Sequence, residues 1–240
     1  MSIHTPLISI ITVSYNASAT IEATIKSVLS QTFKNFEYII VDGDSTDGTK
    51  ELIKEYASHL SYWISEPDKG IYDAMNKAVG YAKGQFVYFI GADDIFIDSG
   101  VLEKVQLYLI DKTKIYYGNV FFKKRQNIYD GKFNAIKLVT RNISHQSIFY
   151  PRSVFDVFHF NTRYNIFADY DLNLKLYNTK QYDFCYINVL ISLFNDQGSS
   201  GSNNIDYNFE MDRLDIIKSN FNYFIYLYRV IRTKVAKFIY

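Results

Sequence analysis

The chain has 240 residues, with 26 basic and 25 acidic side chains and a formal net charge of +1. No global field therefore draws it onto nucleic acid, and an anionic partner has to be held locally. Its length suits one large α/β domain or a domain with a small appendage, and its 22 Tyr and 19 Phe favour strands and surfaces that stack on flat ligands.

The N-terminus, "MSIHTPLISIITV", lacks a basic start leading into a long apolar core. No stretch reaches the ~18 unbroken apolar residues of a membrane span, so a soluble, non-exported, cytoplasmic body is expected. "LISIITV" (7–13) reads as a strand covered on both faces. After "SYNAS", Ile21, Ile25, Val28 and Leu29 recur at helical spacing, with Ser18 as the expected N-cap. "FEYIIVD" (36–42) predicts a second strand, "TKELIKEYA" (49–57) a second helix and "LSYWIS" (60–65) a third strand. "GIYDAMNKAVGYAKG" sets Ala74, Met75, Ala78, Val79 and Ala82 on one helical face. A fourth strand climbs through "QFVYFI". This alternation predicts a mainly parallel sheet of right-handed βαβ units, with ligands at the carboxyl ends of the strands.

The second half is less regular. Residues 114–133 read as extended segments broken by turns, "HQSIFY" (145–150) as a short strand and "ADYDLNLKLYN" (168–178) as a helix. "YDFCYINVLISLF" (182–194) reads as another buried strand, in which the lone Cys185 can form no internal disulfide; a buried thiol in a reducing compartment is expected. The loop "NDQGSSGSNN" follows, and from about Asp206 the pattern is helical to the end. We expect one α/β domain over 1–205, divided near residue 100 into two halves, with an amphipathic helical extension over 206–240.

Polar residues close the first four strands: "TVSYN", "DGDSTDG", "SEPDKG" and "GADD". Each alone is an ordinary turn sequence; four at one edge make a ligand site the better reading. Asp93 and Asp94 are adjacent carboxylates that repel unless a cation lies between them, and Mg²⁺ or Mn²⁺ takes one or two carboxylates plus phosphate oxygens. The alternative is a solvated turn. "TVSYNASAT" has no glycine, which argues against a dinucleotide cofactor. Tyr15 either stacks on a base or packs beneath the first helix. Asp42-Gly43-Asp44-Ser45-Thr46 fits D-x-D-x-T, the nucleophile and acid pattern of haloacid-dehalogenase-type phosphatases, with "GADD" as their magnesium pair. A non-catalytic binding or scaffold protein is a further alternative.

"ISIITVSYNASATIEATIKSVLSQTFKNFEYIIVDGDSTDGT", followed by "SEPDKGIYDAMNKAVGYAKGQFVYFIGADD", resembles the nucleotide-sugar-binding half of family-2 inverting glycosyltransferases with the GT-A fold, most of all colanic-acid and capsule-type members. The resemblance implies a nucleoside-diphosphate sugar donor, a UDP-sugar first, and a divalent cation, Mn²⁺ or Mg²⁺. It sets Val13, Tyr15 and Asp42 against the base, Asp68 and Lys69 beside base and diphosphate, and Asp93 on the ribose. Asp94 becomes the main metal ligand, with Asp93 beside it, and Asp44 has no ligand contact. Gly91 departs from the pattern, since many members carry Asp there.

The segment "FADYDLNLKL" resembles the family's E-D-x-D-L, with Ala168 in the first place, and implies Asp169 as the base that takes the acceptor's proton. The bland reading is that Asp169 and Asp171 merely open a helix. His145 and Gln146 of "NISHQSIFYP" become acceptor or diphosphate contacts, and the glycine- and serine-rich loop a flap over the substrates. The acceptor implied is a hydroxyl of a surface-glycan intermediate for capsule, O-antigen or exopolysaccharide, free or lipid-linked. The basic, aromatic tail fits either peripheral contact with the inner face of the cytoplasmic membrane or packing on the sheet.

Overall fold

The computed structural model of the protein describes residues 5–179, 181–197 and 205–239. Strands β1 (Ile8–Ser14), β2 (Phe36–Asp42), β3 (Tyr62–Ser65) and β4 (Phe86–Phe89) alternate with helices α1 (Ile21–Leu29), α2 (Thr49–Glu55) and α3 (Ile71–Val79). All three pairings among these strands are parallel, as right-handed crossovers require, in the order β3-β2-β1-β4. The register sets Ser14 opposite Asp42 and Asp42 opposite Ser65. Three polar residues thus finish their strands side by side.

The second half continues this mainly parallel sheet. It comprises β5 (Ile95–Phe96), α4 (Val101–Gln106), β6 (Lys114–Phe122), β7 (Asn127–Tyr129), α5 (Ala135–Leu138), β8 (Ile148–Pro151), α6 (Ala168–Tyr177), β9 (Asp183–Phe194), α7 (Tyr207–Asn220) and α8 (Tyr223–Ile239). The nine-stranded sheet runs β3-β2-β1-β4-β8-β6-β9-β5, with β7 on β6; β8 joins the two halves, antiparallel to both β4 and β6. Alternation of side chains across each strand fills two cores. Ile11, Val13, Val41 and Phe89 face α3 and the helices of the second half, and Ile8, Ile10, Ile40 and Tyr88 face α1 and α4. Both faces are covered, which is why these strands read as unbroken apolar runs.

Three expectations shift. Thr20, not Ser18, stands at the head of α1, because the backbone of 16–18 is held by the β2–α2 loop: Asn16, Ala17 and Ser18 N–H groups donate to Ser45 Oγ, Thr49 Oγ1 and Asp47 Oδ2. His145–Ser147 is a 3₁₀ turn and the strand begins only at Ile148. Strand β9 is half-buried, with Cys185 partly exposed, because only the two-residue β5 lies beyond it in the sheet. Helix α7 is tied to α6: the Asp206 carboxylate accepts from Phe209 N at its head and from Ile166 N ahead of α6, and Phe209 and Ile217 are fully buried. Of the loop 195–204, residues 198–204 lie outside the described residues, and the expected flap lies there with them. Among the described residues, no helix is long and apolar enough to cross a membrane.

Candidate active site

At the strand ends, Asp42 is fully buried. Its Oδ1 accepts from Ser14 Oγ (2.9 Å) and Ser45 Oγ (2.6 Å), its Oδ2 from Ser45 N (2.9 Å) and Ser65 Oγ (2.7 Å). Four donors from three strand ends satisfy both of its oxygens. Such a carboxylate locks the edge, and contact with a base would require one of these bonds to be exchanged. It also lacks the open lone pair of a phosphoryl-accepting nucleophile. Asp44 turns outward to Lys50 at 2.9 Å. The arrangement of a D-x-D phosphatase is therefore not formed.

In front of this lock, Tyr15 is 67% exposed, so it does not pack beneath α1. A Cβ on Gly43 would lie 2.5 Å from Asp68 Oδ2 and 3.3 Å from the Tyr15 ring. Glycine is needed here because Tyr15 and Asp68 close around it from two sides. The exposed Tyr15 ring and the Asp68 carboxylate thus lie together over Gly43. Val13 lies in the core behind them, and Lys69 is exposed, its backbone N–H donating to Asp73.

The acid pair sits across the edge. Asp93 is exposed and accepts from Asn195 Nδ2 at 2.9 Å; Asp94 is 1% exposed and accepts from Gln146 Nε2 (2.8 Å) and Asn195 N (2.7 Å). Burial, and then the neighbouring Asp93 charge, push the Asp94 carboxyl up to about 7. A Cβ on Gly91 would come within 2.6 Å of Asp94 Oδ2 and 3.1 Å of Asp93 Oδ1. The space that an aspartate at position 91 would use is filled by Asp94 folding back over the glycine.

Among the described residues no group of three acid, His or Cys side chains could hold a metal by itself. The pair nevertheless fits a hard divalent cation that takes one or two protein carboxylates and fills its shell with phosphate and water oxygens. Desolvation together with like-charge repulsion is what such a cation would relieve.

Asp169 stands in the first turn of α6, 5% exposed. Its Oδ1 accepts from Tyr72 OH (3.0 Å) and Tyr170 N (2.8 Å), its Oδ2 from Asn142 Nδ2 (2.7 Å), with His145 Nδ1 at 3.3 Å. Tyr72 is pushed well up, by burial first and the Asp169 charge second, and so keeps its one proton, which it shares between Asp169 and the Ile166 carbonyl oxygen at 2.5 Å. The His145 contact is the longest of the four and the one an incoming hydroxyl can most easily replace. Asp171 pairs with Lys175 at 2.7 Å. Asp169, His145, Gln146 and Asn142 line a cavity of about 300 Å³, within the range of small-molecule sites.

The structure thus brings Tyr15 to Asp68, Asp93 to Asp94, and His145 to Asp169. Consecutive side chains link the last two groups, since His145 reaches Asp169 while Gln146 reaches Asp94. Sequence reasoning missed Asn195, Tyr72 and Asn142. Asn195 closes β9 as a polar residue, the same signal that marked the first four strands; Tyr72 and Asn142 carry none.

Comparison with known proteins points one way. The profile of "Glycosyl transferase family 2" matches residues 9–176. A PGL/p-HBAD biosynthesis glycosyltransferase of Mycobacterium tuberculosis is 32% identical over 211 residues, covering 85% of this chain and 82% of the relative. The Escherichia coli UDP-Glc:alpha-D-GlcNAc-diphosphoundecaprenol beta-1,3-glucosyltransferase WfgD is 38% identical over 137 residues, 57% of this chain and 54% of that one. S. aureus TarS 1-349 in complex with UDP-GlcNAc superposes with a TM-score of 0.74 at 17% identity, over 89% of this chain and 66% of that one. The mannosyltransferase PcManGT from Pyrobaculum calidifontis, in complex with GDP-Man and Mn²⁺, gives 0.63 at 18% identity, over 90% and 63%. At these identities the two structures bear on the fold, which is GT-A-like.

Proposed function

The chain belongs to glycosyl transferase family 2, and from that premise we propose that it transfers a sugar, with inversion, from a nucleoside-diphosphate donor to a hydroxyl of a surface-glycan intermediate. It is a glycosyltransferase by family; donor, acceptor and metal are our reading. The observation that carries it is the His145–Gln146 turn, which holds Asp169 with one side chain and Asp94 with the next. One short turn would thereby hold the proposed base and the proposed diphosphate-side pair in register.

In this reading Tyr15 stacks on the base beside Gly43 and Asp68, and Asp42 holds the three strand ends beneath it. Val13 and Lys69 border the base from behind and outside. Asp93 meets the ribose and Asp94 the cation, Mn²⁺ or Mg²⁺; when bound, that ion would neutralise the charge developing on the departing diphosphate. Asp169 takes the acceptor's hydroxyl proton. The acceptor oxygen bonds to the anomeric carbon as the bond from that carbon to the phosphate oxygen breaks, and the nucleoside diphosphate leaves. Asn142, Tyr72 and the Tyr170 N–H orient the carboxylate throughout.

UDP is favoured as the nucleotide and a lipid-linked glycan as the acceptor because WfgD carries both in its name. Peripheral contact with the inner membrane face is supported by α8, where Phe224, Leu227, Ile231 and Val235 are exposed at helical spacing beside Arg232 and Lys234. Calorimetric titration with UDP, GDP and dTDP, each with and without Mn²⁺, tests the donor reading. Saturable binding of UDP that needs Mn²⁺ is expected; no metal-dependent binding of any of the three would reject it.

A further inference from the structure

The His145–Gln146 turn is one tie between the acid pair and the cavity at Asp169, and the end of β9 makes a second. Gln146 Nε2 donates to Asp94 Oδ2, the Asn195 N–H donates to Oδ1 at 2.7 Å, and Asn195 Nδ2 reaches on to Asp93 Oδ2 at 2.9 Å. The next residue turns the other way. Asp196 is 4% exposed, and its carboxylate accepts from Lys124 N (2.7 Å) and Arg125 N (3.2 Å), with Arg125 Nε at 3.4 Å. These donors belong to the turn between β6 and β7, where Gln126 has a left-handed backbone (φ 51°). The same hairpin walls the cavity, since Phe122, Arg125 and Tyr129 line it together with Phe194, the last residue of β9. The Phe122 ring stacks on Tyr129 at 4.9 Å, meets Phe194 at 5.3 Å and carries the Arg125 guanidinium at 5.0 Å.

The two residues cannot move independently of what they hold. A buried carboxylate that lost the N–H groups of the turn would be left charged and unpaired, so Asp196 and residues 124–125 shift together. Its Cα lies one planar peptide from that of Asn195, about 3.8 Å away. Whatever re-seats Asn195 therefore re-seats the hairpin. When Asp93 turns to a ribose hydroxyl or a cation, it does so at the expense of Asn195 Nδ2. We propose that Asn195 and Asp196 are positioning residues that couple the two sites, so that occupation of the acid pair resets Phe122, Arg125 and Tyr129 for the acceptor. The inference rests on placing the donor at Asp93 and Asp94 and the acceptor at Asp169. Coupling between sites is reciprocal, so a change at the hairpin must return as a change in donor affinity.

The test combines amide hydrogen exchange with calorimetry on the full chain. In the parent, saturation with UDP and Mn²⁺ should change exchange at the Lys124 and Arg125 amides, the two that donate to Asp196. Asp196→Asn leaves the donor-side side chains in place and should nevertheless weaken UDP binding by about fivefold, the low end of such couplings. In an Asn195→Ala background the same change should weaken it less than it does alone. Asp130→Asn, at a carboxylate that pairs with Lys137 and Arg141 elsewhere on the wall, should leave UDP binding unchanged. In the ligand-free protein, Asp93→Ala should speed exchange at Lys124 and Arg125 by about threefold, the low end of one hydrogen bond's net worth. Unaltered exchange in the UDP-saturated parent or in Asp93→Ala, parent-like UDP binding in Asp196→Asn, full additivity with Asn195→Ala, or equal weakening in Asp130→Asn would each overturn the coupling. UDP failing to bind the parent at all faults the donor reading instead, and the ligand-free Asp93→Ala result then decides the link by itself.

Discussion

Replacing Gly91 by alanine perturbs the acid pair through a single methyl group. The new Cβ would stand 2.6 Å from Asp94 Oδ2, whereas such contacts need at least about 3.0 Å, so the carboxylate has to withdraw by several tenths of an ångström. It is held at 2.8 Å by Gln146 and 2.7 Å by the Asn195 N–H, both partners of a buried charge. Losing one such bond costs about 1.5–3 kcal/mol. For a chain of this size that lowers the melting temperature by about 3–12 °C. Thermal unfolding followed by circular dichroism reads the loss, and calorimetry should show UDP binding in Mn²⁺ weakened in parallel. A Gly91→Ala protein that melts within about 1 °C of the parent and binds UDP as well would refute the placement of Asp94 over the glycine.

Three further outcomes are expected. Because the Asp94 carboxyl is raised to about 7 in the fold, the native state keeps a proton that the unfolded chain releases above about pH 4. Its contribution to metal-free stability is therefore full below that point and lost as pH rises through about 7; urea unfolding should show Asp94→Asn without this decline, and identical slopes would contradict it. Tyr15→Ala should leave the melting temperature unchanged and weaken UDP binding by about 1–3 kcal/mol, the value of a base stacked on an aromatic ring; unchanged affinity would remove Tyr15 from the base site. Asp44 adopts a left-handed backbone (φ 62°) and pairs with Lys50 at the surface. Asp44→Gly should bind UDP as the parent does, and loss of binding would show a ligand contact there.

The parallel half of the fold was legible because each strand is covered on both faces and each helix buries one, so that hydrophobic period alone separates them. Strand β5 and helix α4 were not, being two and six residues long; such segments carry no measurable period and are held by tertiary contacts. The 3₁₀ turn at His145 was read as strand because "HQSIFY" runs straight into β8, while the pull that bends it comes from Asp94 and Asp169, 52 and 24 residues away. Polar strand ends pointed to the donor edge, and motif resemblance to Asp169. Nothing local marked Asn142 or Tyr72, whose role exists only once α3 and the loop before β8 meet the head of α6. Position 91 was legible as a departure, whereas the carboxylate folded over the glycine exists only in the folded chain.

In the proposed reaction Asp169 takes the acceptor's proton while the donor is held elsewhere. Its most direct test is Asp169→Asn, assayed side by side for sugar transfer and for UDP binding in Mn²⁺. The amide cannot accept a proton, and wherever its NH₂ points it meets a donor, the Tyr170 N–H on one side and Asn142 Nδ2 on the other. Transfer should fall by about 10²–10⁴-fold, with UDP binding unchanged. Transfer at the parent rate, or loss of UDP binding together with transfer, would contradict the account.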